Sequence, residues 1–140
     1  MEYRKFENKY VVRIDKGEEI VGKIKQICRE NNIRLGWVKG LGAVNKVTLG
    51  LFETSTKKYL ASSFEGDYEI SALYGNISTM NGEVYTHIHA SISDSSCKTF
   101  GGHLSEAVVS ATAEIFIESI EGAVEREFND EIGLNLYKFL

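Results

Sequence analysis

A chain of 140 residues that is 43% hydrophobic has the apolar side chains for one domain with its own core, spanning 1–140, and too little length for two. Its net charge of −4, with no run of five or six like charges, argues against a dedicated nucleic-acid surface, which depends on clustered Lys and Arg. The first ten residues, MEYRKFENKY, lack the apolar core of a secretion signal, and no apolar run approaches the ~20 residues of a membrane helix, so the expected location is the cytoplasm.

Residues 10 to 14 read as a first strand. Asp15-Lys-Gly-Glu18 follows as an acidic analogue of a capping box, predicting a helix from about Glu18 to Asn31. Its apolar positions Ile20, Ile24, Ile27 and Cys28 form one stripe for packing on a sheet, leaving Lys23, Lys25, Arg29 and Glu30 largely wet. Residues 33 to 39 and 43 to 54 are strand-like, separated by Gly40-Leu41-Gly42, which predicts a turn or bulge. GLGAVN is a weak match to a phosphate loop: it lacks the third glycine of GxGxxG and runs into strand formers rather than a helix.

Residues 59 to 64 and 68 to 72 predict two further strands, and 76 to 82 a loop with Met80-Asn81-Gly82 at its tip. Residues 107 to 120 predict a long strand, with a helix as the alternative because of the Ala-rich middle; 121 to 131 predict an acidic surface crossing, and 134 to 140 a final edge strand. Proline is absent, and 13 glycines supply the punctuation. Cys28 and Cys97 make neither a CxxC motif nor a disulfide framework and are expected as reduced thiols.

All three histidines fall within Tyr85 to Leu104. Along 86 to 93, Ile88, Ala90 and Ile92 alternate with His87, His89, Ser91 and Ser93, so an apolar face separates from a polar one. A hairpin turning through Asp94 to Lys98 pairs Ser93 with Thr99. His89 then lies opposite His103, with His87 diagonal to it. Side chains so placed stand about 4.5 to 8 Å apart at their β-carbons, close enough for three imidazoles to converge on one ion. Neutral imidazole suits zinc, nickel, copper and iron; zinc is the first expectation, and three ligands leave a position for water or a small molecule. Glu69, on the polar face of its strand, is either a fourth ligand, a group orienting an imidazole, or a solvated glutamate. A metal-dependent hydrolase would need a general base, for which Glu69 and Glu114 are the candidates. A Cys97–His89 nucleophile pair is a weaker arrangement, with the cysteine at the turn and the histidine several residues away.

The ordered set GDYEISALYGNIS, HIHASISD, FGGHL and VVSATAEI, with KGLGAV upstream and EREFNDEIGLNL downstream, resembles the plant and prokaryote conserved (PPC) domain family over nearly the whole chain. The resemblance implies an α+β fold, a mainly antiparallel sheet with one principal helix packed on it, assembled as a homotrimer. It also implies a metal site at the HxH and GGH positions, here His87, His89 and His103. Cys97 departs from the prokaryotic pattern, which usually has glycine in that turn. Plant members carry AT-hook segments, and prokaryotic ones have been labelled DNA-binding by association; this chain has no Arg-Gly-Arg-Pro. A transcription-associated or DNA-binding module working through protein contacts, with metal incidental, is the alternative to a metal-binding protein.

Overall fold

The structure, a computed structural model, describes residues 1–139. Eight strands and one helix follow in order: β1 (Glu2–Phe6), β2 (Lys9–Asp15), α1 (Ile20–Glu30), β3 (Gly36–Glu53), β4 (Lys58–Met80), β5 (Glu83–Ser93), β6 (Thr99–Ser119), β7 (Glu125–Asn129) and β8 (Leu134–Lys138). The sheet runs β1-β2-β6-β3-β4-β7-β8, and β5 pairs with both β4 and β6. Every pairing is antiparallel except one parallel bridge, Thr79 to Glu125. The molecule is therefore a mostly antiparallel sheet with a single short helix, more sheet-dominated than an α+β fold with a principal helix.

The pairings β3–β4, β4–β5, β5–β6 and β6–β3 close on themselves, so these four strands have no free edge along the closed stretch. Alternation turns one side of each strand inward. Val38, Val44, Val47, Ile70, Leu73, Ile77, Ile88, Ile92, Leu104, Val109, Ile115 and Ile117 are all buried in one cluster with Tyr10, Val12 and Ile14 of β2. The helix buries Ile20, Ile24, Ile27 and Cys28, the predicted stripe, into the same cluster.

The helix starts differently from its prediction. Glu19, not Asp15, is the N-cap: its carboxylate accepts from the N–H groups of Val21 (2.8 Å) and Gly22 (2.6 Å). Only one limb of the expected box forms, Glu18 Oε2 accepting from the Asp15 N–H at 3.0 Å. The reason is tertiary. Between its stretches paired with β5 and β2, β6 needs other partners, and the helix entry supplies them. Gly17 N–H donates to Val109 O (2.8 Å), Val109 N–H to Glu18 O (3.0 Å) and Ala107 N–H to Glu19 Oε1 (3.2 Å).

The strands predicted on either side of Gly40-Leu41-Gly42 are one strand, with register shifts on both flanks. A β-carbon at Gly40 would come within 2.6 Å of Glu114 O, and one at Gly42 within 2.7 Å of the Ala113 Cα. These glycines admit the β6 backbone rather than make a turn. Residues 59 to 64 and 68 to 72 likewise merge into β4, and the predicted loop 76 to 82 shrinks to Asn81-Gly82, both at left-handed φ (53° and 79°), a two-residue hairpin turn. The acidic crossing contains β7. It pairs with the edge strand β8, predicted as 134 to 140 and observed to Lys138; Leu140 lies outside the described residues. No described helix is long and apolar enough to cross a membrane.

Glu19 satisfies three N–H groups at once, two in the helix and one in β6. Glu19→Ala is expected to lower stability by about 1–2 kcal/mol, read by urea denaturation. An unchanged midpoint would mean that water replaces the carboxylate there.

Candidate metal centre

The β5–β6 hairpin adopts the predicted register: Ser93 faces Thr99 and His89 faces His103. Asp94 sets the turn, its Oδ1 accepting from the N–H groups of Ser96 (2.9 Å) and Lys98 (3.0 Å). The Ser93 and Thr99 hydroxyls then meet at 2.9 Å. Cys97 occupies the turn at φ 61°, the left-handed region that favours glycine, and its thiol is exposed. The turn thus places a non-glycine residue in that region, with its side chain accommodated by pointing into solvent.

His87, His89 and His103 converge on the outer face of this hairpin. One ligand nitrogen from each lies within 4.8 Å of the others. The Nε2 atoms of His87 and His89 are 3.2 Å apart, close to the roughly 3.4 Å separating two ligands on one tetrahedral ion at ordinary Zn–N bond lengths. Ring centroids stand 5.1 to 5.6 Å apart around the triangle. The donor set and spacing fit a transition-metal ion with a free coordination position.

Tyr59 forms one wall, its ring edge-on to His103 at 5.8 Å and its hydroxyl 2.9 Å from Ser105 Oγ. On the other side Asn76 stands across from His87, and its Oδ1 accepts from Arg126 Nη2 at 3.0 Å. Partial burial, then the neighbouring His103, His89 and Arg126, push the His87 pKa down to about 4. Burial and then His89 lower that of His103. Both imidazoles are neutral near pH 7, with a lone pair free for an ion.

The other candidates lie elsewhere. Glu69 shares the outer face but pairs with Ser93, four residues and so about 13 Å along β5 from His89, and is exposed. Glu114 pairs with Arg13 and Leu41, far along β6. Cys97 is in the turn beyond the Ser93–Thr99 pair, away from the His89–His103 pair. Arg126 was not foreseen from the sequence. It is the only Lys or Arg between Lys98 and Lys138, and within an acidic segment it reads as solvated.

The pattern of the Plants and Prokaryotes Conserved (PCC) domain matches residues 1–121. The chain belongs to this family. A PCC-domain chain of this shape has close structural counterparts. A protein of Bacteroides thetaiotaomicron described as a candidate DNA-binding protein is 38% identical, with a TM-score of 0.96 over 99% of this chain and 96% of that one. A metal-containing protein of Archaeoglobus fulgidus is 29% identical (TM-score 0.88, 99% and 96% covered). A plant- and prokaryote-conserved (PPC) protein of Pyrococcus horikoshii is 32% identical (TM-score 0.87, 99% and 94% covered). The bifunctional protein GlmU of a Synechococcus strain is 28% identical over 121 residues, 84% of this chain, and the chain spans only 18% of that relative's length.

A histidine whose pKa is lower folded than unfolded adds stability above its unfolded value of about 6.5, lost as pH falls through the folded value. Metal-free protein is therefore expected to lose stability from about pH 6.5 toward pH 4, and His87→Gln to lose less over that window. Urea midpoints across the range compare the two, and parallel curves would remove His87 as the cause.

Proposed function

We propose that this protein is a homotrimeric metal-binding protein in which His87, His89 and His103 hold one divalent transition ion, zinc first, with an open position for water or a small-molecule ligand. The observation that carries this reading is the 3.2 Å approach of two imidazole Nε2 atoms beside a third imidazole, on a hairpin whose register is locked by Asp94. The metal-containing relative from A. fulgidus supports it. An ion bound here would supply Lewis acidity to a ligand oxygen. The chain's own part is to fix the three nitrogens, keep His87 and His103 neutral, and shield one side with Tyr59. Hydrolysis is the less favoured chemistry, because neither Glu69 nor Glu114 stands beside the imidazoles as a base.

Support for assembly comes from the outer sheet face, where Trp37 (57% exposed), Leu41, Tyr74 and Phe116 present large apolar side chains to solvent. Tyr74 pairs with Lys39 on one side and with His89 on the other, so this apolar face runs into the histidine site. The second reading, an interaction module acting on DNA or protein, draws on the description of the B. thetaiotaomicron relative. The net charge of −4 counts against its DNA form.

Elemental analysis of tag-free protein is expected to find about one ion per chain and to identify it, with none retained by His89→Ala. His89 is exposed, so that variant should keep its fold to within about 0.5 kcal/mol. Light scattering on the same samples should report a trimer, and Trp37→Glu should shift it toward monomer. Metal-free protein that takes up no added zinc, nickel, copper or iron yet still assembles would favour the interaction module.

A further inference from the structure

Arg126 is buried, 8% exposed, and among the described residues no carboxylate comes within ion-pair distance of it. Its guanidinium donates through Nε to Ser78 Oγ (2.8 Å), through Nη1 to Asn135 O (2.8 Å) and through Nη2 to Asn76 Oδ1 (3.0 Å). The rings of Tyr85 and Tyr137 lie on it at 4.7 and 4.3 Å. Hydrogen bonds and ring faces hold the plane of the group. They do not cancel its charge, and two of its five N–H donors are unassigned. A buried cation with no counter-charge among the described residues is costly, and its hydrogen bonds and ring contacts offset only part of that cost.

Its position gives that charge a use. Along β4, Asn76 and Ser78 share the outer face with Tyr74, and their β5 partners are His87 and Tyr85. Tyr85, His87 and His89 form one row on that face, so the Tyr85 ring that stacks on the guanidinium is one pleat step, roughly 7 Å along β5, from His87, and Asn76, which accepts from the guanidinium, is His87's cross-strand partner. Neutral imidazoles around a divalent ion leave two positive charges uncompensated, and Arg126 adds a third. The hairpin that carries Arg126, β7–β8, lies beyond the segment 1–121 that matches the family pattern.

We infer that Arg126 forms an oxyanion subsite beside the metal centre, and that the small-molecule ligand carries a carboxylate or phosphate bridging from the open coordination position toward the guanidinium. This inference rests on the three-histidine metal reading and names the ligand class for that site. A planar fork with spare N–H groups suits two-oxygen recognition, which an ammonium would not reproduce.

The test is calorimetric titration of zinc-loaded, full-length protein with oxalate, inorganic phosphate and acetate, with the zinc content of every sample measured alongside. Oxalate or phosphate is expected to bind wild type at least about tenfold more tightly than Arg126→Gln at equal zinc content, with Arg126→Lys recovering only part of the loss. Because Arg126→Gln also removes contacts that hold β7–β8, the wild-type Arg126 Nε–H resonance is followed during the same titrations. It should shift with the bound anion and not with chloride. Equal affinity in both proteins, an unmoved Nε–H signal on saturation, or no binding of any probe to zinc-loaded wild type would each overturn the subsite. If wild type takes up no zinc, the metal reading is what has failed. Arg126-dependent phosphate binding to the metal-free protein would then still uphold the subsite, and its absence would remove it.

Discussion

The two-sided pairing of β5 is the constraint on which the centre depends. With β4 hydrogen-bonded along one edge and β6 along the other near His89, the strand can neither slip nor rotate without breaking both ladders. A slip of one residue would send Ile88 and Ala90 outward and the histidines into the core. The apolar cost of that exchange enforces the polar geometry on the far side of the sheet. Site and core are two faces of one alternating strand.

Closure of the sheet leaves a gap along β6, which the backbone of Gly17 and Glu18 and the carboxylate of Glu19 fill. The single helix is therefore as much an edge cover as a packing layer. Glycines without side chains let β3 and β6 approach closely at Gly40 and Gly42, and β4 and β5 at Gly75, where an added β-carbon would meet His87 O at 2.6 Å. That contact lies directly under the histidine cluster, so the backbone carrying the imidazoles is held tightly against its neighbour.

What the sequence disclosed follows from which forces are local. Alternation over 86 to 93 and the turn chemistry of Asp94 specify a hairpin by themselves, so the register and the grouping of the three histidines were readable. The helix stripe was readable for the same reason. Strand merging was not, because a glycine that admits a neighbouring backbone has the same local signature as one that turns the chain. Nor was the choice of Glu19 over Asp15 as cap, which depends on the distant Ala107 N–H. β1 and β7 escaped because charged, mostly exposed strands lack an apolar face. Arg126 was hidden because its burial is created by Tyr85 and Asn76, about 40 and 50 residues away, and by Tyr137 across a hairpin whose two charged or weakly alternating strands give little local signal.

The pairing of β2 with β6 joins Lys9 to Glu118, roughly a hundred residues apart. On a ribosome adding about 5–20 residues per second, β2 is made some 5–20 seconds before its partner exists. Throughout that interval Tyr10, Val12 and Ile14, which end buried, lack the β6 side chains that complete their cover. β1, paired alongside β2, presents Glu2, Arg4 and Lys5 there, charges of the kind that disfavour edge-to-edge pairing with another chain. A strand that adds only Tyr3 to the margin of the core thus stands beside β2 from the first moments of synthesis.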